Sequence, residues 1–499
     1  MSPPALAHRP STESLRRAAG RQHRASSESL RADAARLKRA SFESLQSEAA
    51  HSDLLHAGAD AAHAGGVRPP VFRPRRSPLD VATLERANSP LLGVVVGSWV
   101  CMAYYLAAAA HQCWRETGSP IQLGLGPAFW AAAREFVAVE AVTIVSLFLN
   151  VLLQKLLAWR LLPQSKMLAI QHAWQAAWFS MVMWALFSRD WPWLISGAFS
   201  MHAIVMLLKT HSYNAANIEF SGKRARMHEL RMLMMARKRS DNKQGVEALQ
   251  YEIDELQREL VRANASYPGN ITAANFASYL LMPVFIYELE YPRTKRIRPL
   301  YLLLKIFELV LAAATVSVVY QREFRPRILN IRNVKEAEFV LELSLYTLLL
   351  HNLVPYIVYD CVPNIMAELT CFADRNFYGE WWSSSSYSEM ARNVNRPVHH
   401  FLRHHVYGEL MIKCGLSRAA AMAATFALSG ALHELVVTSL SRRLRFHLMS
   451  AMMGQLVMIF AEQWPPFRGR RFAGLVMFWT ASAVGIPGLF WKYFSEPFE

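Results

Sequence analysis

The feature that most limits what this chain can fold into is the clustering of its apolar residues into long runs separated by basic loops. Nine such runs stand at about 91–110, 136–157, 167–187, 192–208, 299–319, 340–359, 419–440, 446–460 and 475–494. The first four are each near the ~20 residues that carry a helix across a bilayer core. Hydrophobic residues make up 53% of the 499, with 26 Phe and 14 Trp, and a soluble fold would scatter them over amphipathic faces instead. Lipid offers the backbone no hydrogen-bond partners, so spanning runs of this length must be helices. The fold class expected is therefore all-α: a polytopic membrane protein of about nine transmembrane helices.

The formal net charge of +16 raises the question of nucleic acid. No nucleic-acid motif accompanies it, and the cations sit in tails and loops beside apolar runs. Positive-inside topology and anionic lipid explain that placement, and an anionic substrate such as a nucleotide thioester also fits it. The five cysteines, Cys101, Cys113, Cys361, Cys371 and Cys414, form no C-x-x-C pair, so neither zinc nor a disulfide framework is expected. No early apolar segment marks a cleavable signal peptide, and the first span is expected to direct insertion.

Residues 1–88 form a basic, aromatic-poor tail expected to be disordered, and 89–499 the membrane domain. The tail repeats with a fifteen-residue period: Arg9-x-Ser11-x-Glu13-Ser14-Leu15 returns from Arg24 and again from Arg39. It reads either as a neutral duplication or as a set of basic-directed phosphorylation sites, with Ser26 and Ser41 the candidates. An insert at about 209–298 holds a polar helix from Ser221 to about Ala263. An irregular connector, Asn264 to Arg298, follows and ends in Arg293-Thr294-Lys295-Arg296-Ile297-Arg298. With a cytosolic N-terminus and nine spans, Arg322–Lys335 and Arg442-Arg443-Arg445 fall on the lumenal side against the charge rule. Either a span is miscounted or those cations are buried against protein.

The residue that carries chemistry is His433, inside the run 419–440. An ionisable group in an apolar span is by default functional, and imidazole can take a proton from an alcohol near neutral pH and return it. Between Ala419 and Val437 only its neighbour Glu434 is otherwise ionisable. A zincin pattern needs histidine at 437, which is Val437. A structural histidine bonded to another helix is the plain alternative. His399, His400, His404 and His405 crowd together, but no carboxylate or cysteine in the sequence completes a metal site, and none is expected. No G-x-S-x-G elbow supports a covalent serine route.

The motifs Phe377-Tyr378-Gly379-Glu380-Trp381-Trp382, Asn395-Arg396-Pro397-Val398-His399 and the apolar helix with Ala431-Leu432-His433-Glu434-Leu435 together resemble the membrane-bound O-acyltransferases, specifically the sterol and diacylglycerol branch. His211-Ser212-Tyr213, Tyr267-Pro268 and Tyr291-Pro292-Arg293-Thr294 agree and lean to the fungal sterol type. The likeness covers roughly residues 75 to 499. It implies a buried reaction chamber reached by acyl-CoA from the cytosol and by the lipid alcohol from the membrane. It also implies a multi-pass protein of the endoplasmic reticulum and a homo-oligomer, dimer or tetramer. Long-chain acyl-CoA and a sterol are then substrates, membrane lipid is the surround, and no cofactor is needed.

By the same resemblance His433 is the general base and Asn395 the second catalytic residue, its amide bonding a carbonyl oxygen or orienting the imidazole. A loop asparagine capping a helix is the alternative for Asn395. Phe377, Tyr378, Glu380, Trp381, Trp382, Ser383, Tyr387, Arg392, His399 and Ser429 are the substrate-binding candidates. Two positions depart from the family pattern: Val394 stands where Trp is usual and Ser383 where Asn is usual. Diacylglycerol as acceptor, a degenerate low-activity paralogue and a non-catalytic lipid-binding protein remain the rival readings.

Overall fold

The computed structural model describes residues 70–118, 127–161, 163–239, 243–462 and 470–495. The tail repeats and their serines lie outside these residues, as do Arg468 and Gly469 of the last loop. Among the described residues the chain is helical, with three isolated β-bridges and no strand longer than a bridge. The helices used below are α1 (Leu91–Thr117), α2 (Pro127–Leu147), α3 (Leu149–Ala158), α4 (Gln164–Phe187), α5 (Trp193–Arg239), α6 (Lys243–Leu260), α7 (Ala273–Leu281), α8 (Pro299–Val319), α9 (Glu336–Pro355), α10 (Val362–Leu369), α11 (Tyr387–Asn393), α12 (Arg396–Phe401), α13 (Arg418–Ser441), α14 (His447–Ala461) and α15 (Arg471–Ser495).

All nine apolar runs are helical. Among the described residues seven helical stretches are long and apolar enough to cross a membrane: Leu91–Thr117, Phe129–Ala158, Trp193–Ala236, Pro299–Leu329, Glu336–Leu369, Arg418–Ser441 and Arg471–Ser495. The other two fall short for separate reasons. α4 carries Gln164, Lys166, Gln171, His172 and Gln175 along its length. α14 has 15 residues, about 22 Å of helix against a core of about 30 Å. The outward faces are apolar, as lipid contact requires: Leu341 and Leu345 on α9 are 80% and 74% exposed, and Leu300 and Leu303 on α8 are exposed as well.

The fourth run does not stop at 208. No proline interrupts 193–239, so the spanning helix continues for 47 residues into the polar insert. The single polar helix expected from Ser221 to Ala263 is thus a hairpin: the end of α5 returns as α6. Lys223–Glu259 at 2.6 Å and Arg226–Glu252 at 3.2 Å tie the two arms, exposed pairs worth at most about 1 kcal/mol each.

The connector after α6 is also not a loop over the surface. Tyr267, Phe276, Tyr279, Tyr287 and Tyr291 are buried in the main core with Tyr213 of α5. Buried Lys209 donates to the carbonyls of Tyr279 (2.9 Å) and Met282 (2.5 Å), capping the C-terminus of α7 with a cation. Two of the cations that conflicted with the charge rule have protein partners, while Arg325, Arg332 and Lys335 are exposed. Arg442 donates to the carbonyls of Leu186 and Arg189, and Arg327 pairs with Glu323 and Glu342.

Candidate active site

Two of the sequence motifs are laced into one unit. The Gly379 N–H donates to Asn393 O at 2.7 Å, and the Arg396 N–H donates to Phe377 O at 2.9 Å. Arg396 also holds the side chains of Asn376 and Asn393. A Cβ on Gly379 would stand 2.6 Å from both Arg396 Nη2 and Asn393 Oδ1, so a larger residue would have to displace these two side chains. Phe377, Tyr378 and Trp381 are buried, Trp382 is half-buried and Glu380 is exposed. The Trp381 ring meets His351 of α9 (5.5 Å between centroids), Trp382 (5.9 Å) and Trp479 of α15 (6.5 Å). Ser383 Oγ donates to Glu380 O at 3.0 Å, closing a short helical turn. The backbone N–H of Tyr387 donates to Glu462 at 2.6 Å, and exposed Arg392 donates to Ser388.

The remaining motifs join the same unit. Thr294 N–H donates to Cys371 O, and Arg293 to Thr370 O, just ahead of Phe377. Ser212 Oγ accepts the Tyr287 N–H at 2.9 Å and meets His405 Nε2 at 2.8 Å. His405 lies in the π-helical turn Leu402–Gly408 that continues α12, a distortion often found at functional sites. A cleft lined by Phe72, Arg75, Phe285, Phe377, Pro397 and His400 opens beside both motifs.

Asn395 caps α12: its Oδ1 accepts the Val398 N–H at 3.2 Å. Burial pushes His399 down to about 4, with the Arg403, Arg392 and Arg396 cations adding to the effect. Burial likewise takes His400 to about 3 and His405 to about 2. At neutral pH these rings are uncharged. The positive charge beside them comes from Arg392, Arg396 and Arg403.

His433 stands one turn after Ser429 on α13. Its Nδ1 lies 2.7 Å from Ser429 O. A carbonyl only accepts, so Nδ1 carries the proton and Nε2 presents its lone pair. The ring is exposed rather than enclosed. α13 packs along α5, α14 and the π turn of residues 402–408, which brings the histidine's helix against the laced motifs. No hydrogen bond joins His433 to Asn395 among the described residues. Glu434 has a separate task. Buried at 1% exposure, it accepts N–H groups from Arg445, Phe446, Leu448 and Met449 at 2.8–3.3 Å and the Tyr493 hydroxyl at 2.7 Å. It is an anion at the N-terminus of α14.

The fold does assemble donors that the sequence kept apart. Ring nitrogens of His211 and His405 and a Glu409 oxygen lie within 4.8 Å of one another, as do ligand atoms of Glu308, Asp360 and Cys361. In each group a lysine ammonium already sits on a carboxylate: Lys413 on Glu409 at 2.8 Å, Lys305 on Glu308 at 2.8 Å and on Asp360 at 2.7 Å. Lys305, Glu308 and Asp360 are the residues that sequence reasoning passed over. The signal was present, since ionisable groups inside apolar runs mark function.

The family model for membrane-bound O-acyltransferases matches residues 128–495. The chain is 27% identical over 457 residues to a protein named probable sterol O-acyltransferase 1 of Schizosaccharomyces pombe, covering 83% of this chain and 84% of that one. It is 31% identical over 312 residues to sterol O-acyltransferase 2 of Saccharomyces uvarum, covering 59% of this chain and 48% of that one. It is 30% identical over 228 residues to diacylglycerol O-acyltransferase 1 of Dictyostelium discoideum, covering 44% and 36%. The chain thus spans about half the length of the Saccharomyces relative.

Proposed function

Because the chain belongs to the membrane-bound O-acyltransferase family, we propose that it esterifies a sterol with the acyl group of a long-chain acyl-CoA. His433 Nε2 takes the proton of the sterol hydroxyl as its oxygen attacks the thioester carbonyl. The tetrahedral intermediate expels the CoA thiolate, which recovers that proton from the imidazolium. The products are steryl ester and CoA. No external oxidant, metal or cofactor enters the balance.

The observation that carries this reading is the Nδ1–Ser429 bond, which leaves His433 with one free basic nitrogen on an apolar helix. Asn395 acts as a positioning group for the reacting carbonyl or the imidazole, although its Oδ1 is committed to the helix cap. The segment of Phe377, Tyr378, Glu380, Trp381, Trp382 and Ser383, with Tyr387, Arg392, His399 and Ser429, receives the thioester and its acyl chain. The enzyme works as a homo-oligomer in the endoplasmic reticulum membrane. Matches to sterol-named fungal proteins over more of the chain than the diacylglycerol-named one favour the sterol acceptor.

The test is release of CoA thiol by the purified protein given oleoyl-CoA with sterol, with diacylglycerol, or alone. Release only with sterol is expected, falling about 10²- to 10⁴-fold in His433→Ala at unchanged abundance. Release with diacylglycerol alone moves the acceptor, and release with neither makes the protein a lipid binder. A fully active His433→Ala protein ends the general-base role.

A further inference from the structure

Residues 70–80, which precede α1, are strapped onto the laced motifs. The Phe72 ring stands 5.4 Å from Tyr291 and 6.0 Å from Phe372, centroid to centroid. Arg75 exchanges backbone bonds with the segment beyond α10: its N–H donates to Ala373 O at 3.1 Å, and Arg375 N–H donates to Arg75 O at 2.9 Å. Its guanidinium lies across the Asp374 carboxylate in two bonds of 3.0 and 2.9 Å, and the Arg73 N–H adds a third at 3.0 Å. Two residues on, buried Ser77 donates to Asp360 Oδ1 at 2.6 Å.

Asp360 is where the strap meets the thioester segment. The same Oδ1 accepts the Tyr378 hydroxyl at 2.7 Å and the Asn364 amide at 3.1 Å, while Oδ2 takes Lys305 Nζ at 2.7 Å. Lys305 in turn holds Glu308, which accepts the Tyr356 hydroxyl at 2.7 Å. Asp360, Lys305 and Glu308 are each 1% exposed or less. Burying two carboxylates on one ammonium is a weak source of stability, because desolvation offsets most of the Coulomb gain. What such a cluster does supply is register. One carboxylate oxygen fixes the strap, the second residue of Phe377–Trp382 and the start of α10 at a single point.

We propose that Asp360 is a positioning residue that couples residues 70–80 to Tyr378, so that the seated strap holds the Phe377–Trp382 segment in the shape that accepts the acyl thioester. The inference rests on the reading of that segment as the thioester site. On this reading residues 70–80 belong to the working enzyme.

The experiment measures KM for oleoyl-CoA and kcat separately, in membranes normalised for protein abundance. Ser77→Ala and Tyr378→Phe each remove one donor to Asp360 Oδ1. Each raises KM about fivefold or more with kcat largely kept, and the double variant is little worse than either single one, since both act through one acceptor. Ser77→Thr keeps the hydroxyl and restores KM. Arg75→Ala, whose side chain is 42% exposed, removes the outer strap contact with least risk to folding and raises KM in the same direction. Where Ser77→Ala is not recovered, Arg75→Ala decides. Trp382→Ala reports on the thioester site directly. An unchanged KM in the strap variants beside a raised KM in Trp382→Ala overturns the coupling and leaves the site reading intact. An unchanged KM in all of them, Trp382→Ala included, overturns both.

Discussion

Replacing Glu434 with alanine should destabilise the membrane domain and slow acyl transfer together, because this carboxylate fixes the helix turn that carries His433. Four backbone N–H groups at the start of α14 and the Tyr493 hydroxyl converge on it. Loss of a helix N-cap costs about 0.5–2 kcal/mol. Loss of a charge-assisted bond to a buried hydroxyl adds about 1.5–3 kcal/mol, for a total of roughly 2–5 kcal/mol. Glu434→Gln retains one carbonyl oxygen and should lose about half of that. Freed from α14 and α15, the His433 turn can shift, and a displacement of about 1 Å costs up to about 10²-fold in rate. Thermal melting of detergent-solubilised protein and turnover per molecule are the two measurements. The Gln variant should fall between parent and Ala on both. Unchanged melting in Glu434→Ala would refute the capping argument, and lower melting with full turnover would refute its link to His433.

Two further outcomes follow from the same geometry. The Glu288 carboxyl is pushed up to about 7 by burial, with Arg262 the leading opposing charge. Below pH 4.5 it is protonated folded or unfolded, and as pH rises to about 7 the unfolded chain releases that proton first, so stability falls across this window; Glu288→Gln should flatten that fall and melt higher than the parent at pH 8. Val394→Trp should change relative rates across a sterol panel or raise turnover, and identical rates for every sterol would exclude this position from the acceptor pocket.

What the sequence disclosed was decided by solvent. The apolar runs are legible because lipid imposes one backbone solution on them, and every one of the nine is helical. Aperiodic segments were less legible. Asn264–Arg298 reads as a connector because its prolines and tyrosines follow no period, yet Tyr279, Tyr287 and Tyr291 are core residues. Their burial depends on partners distant in sequence, such as Ser212 bonded to the Tyr287 N–H. Lys305 and Glu308 were obscured for the opposite reason: two charges inside a strong apolar signal leave its average intact. The motifs were legible one by one. Their lacing was not, because it runs through backbone groups and the missing Cβ of Gly379.

That lacing bears on the two departures from the family pattern. The bonds that join Phe377–Gly379 to Asn393–Arg396 come from backbone groups and from the Arg396, Asn376 and Asn393 side chains. None uses the side chain at 394, where Val394 packs against the main core and donates its N–H to Met390 O at 2.8 Å. Ser383 closes its turn through Oγ onto Glu380 O. The framework thus tolerates both residues, and degeneracy of the scaffold is a poor account of them. A tryptophan at 394 would add a large apolar surface next to Asn395 without touching the framework bonds. Its absence leaves those framework bonds in place. If Val394 bears on the choice of acceptor, as proposed, the comparison that tests it is between sterols of different bulk rather than between activity and its loss.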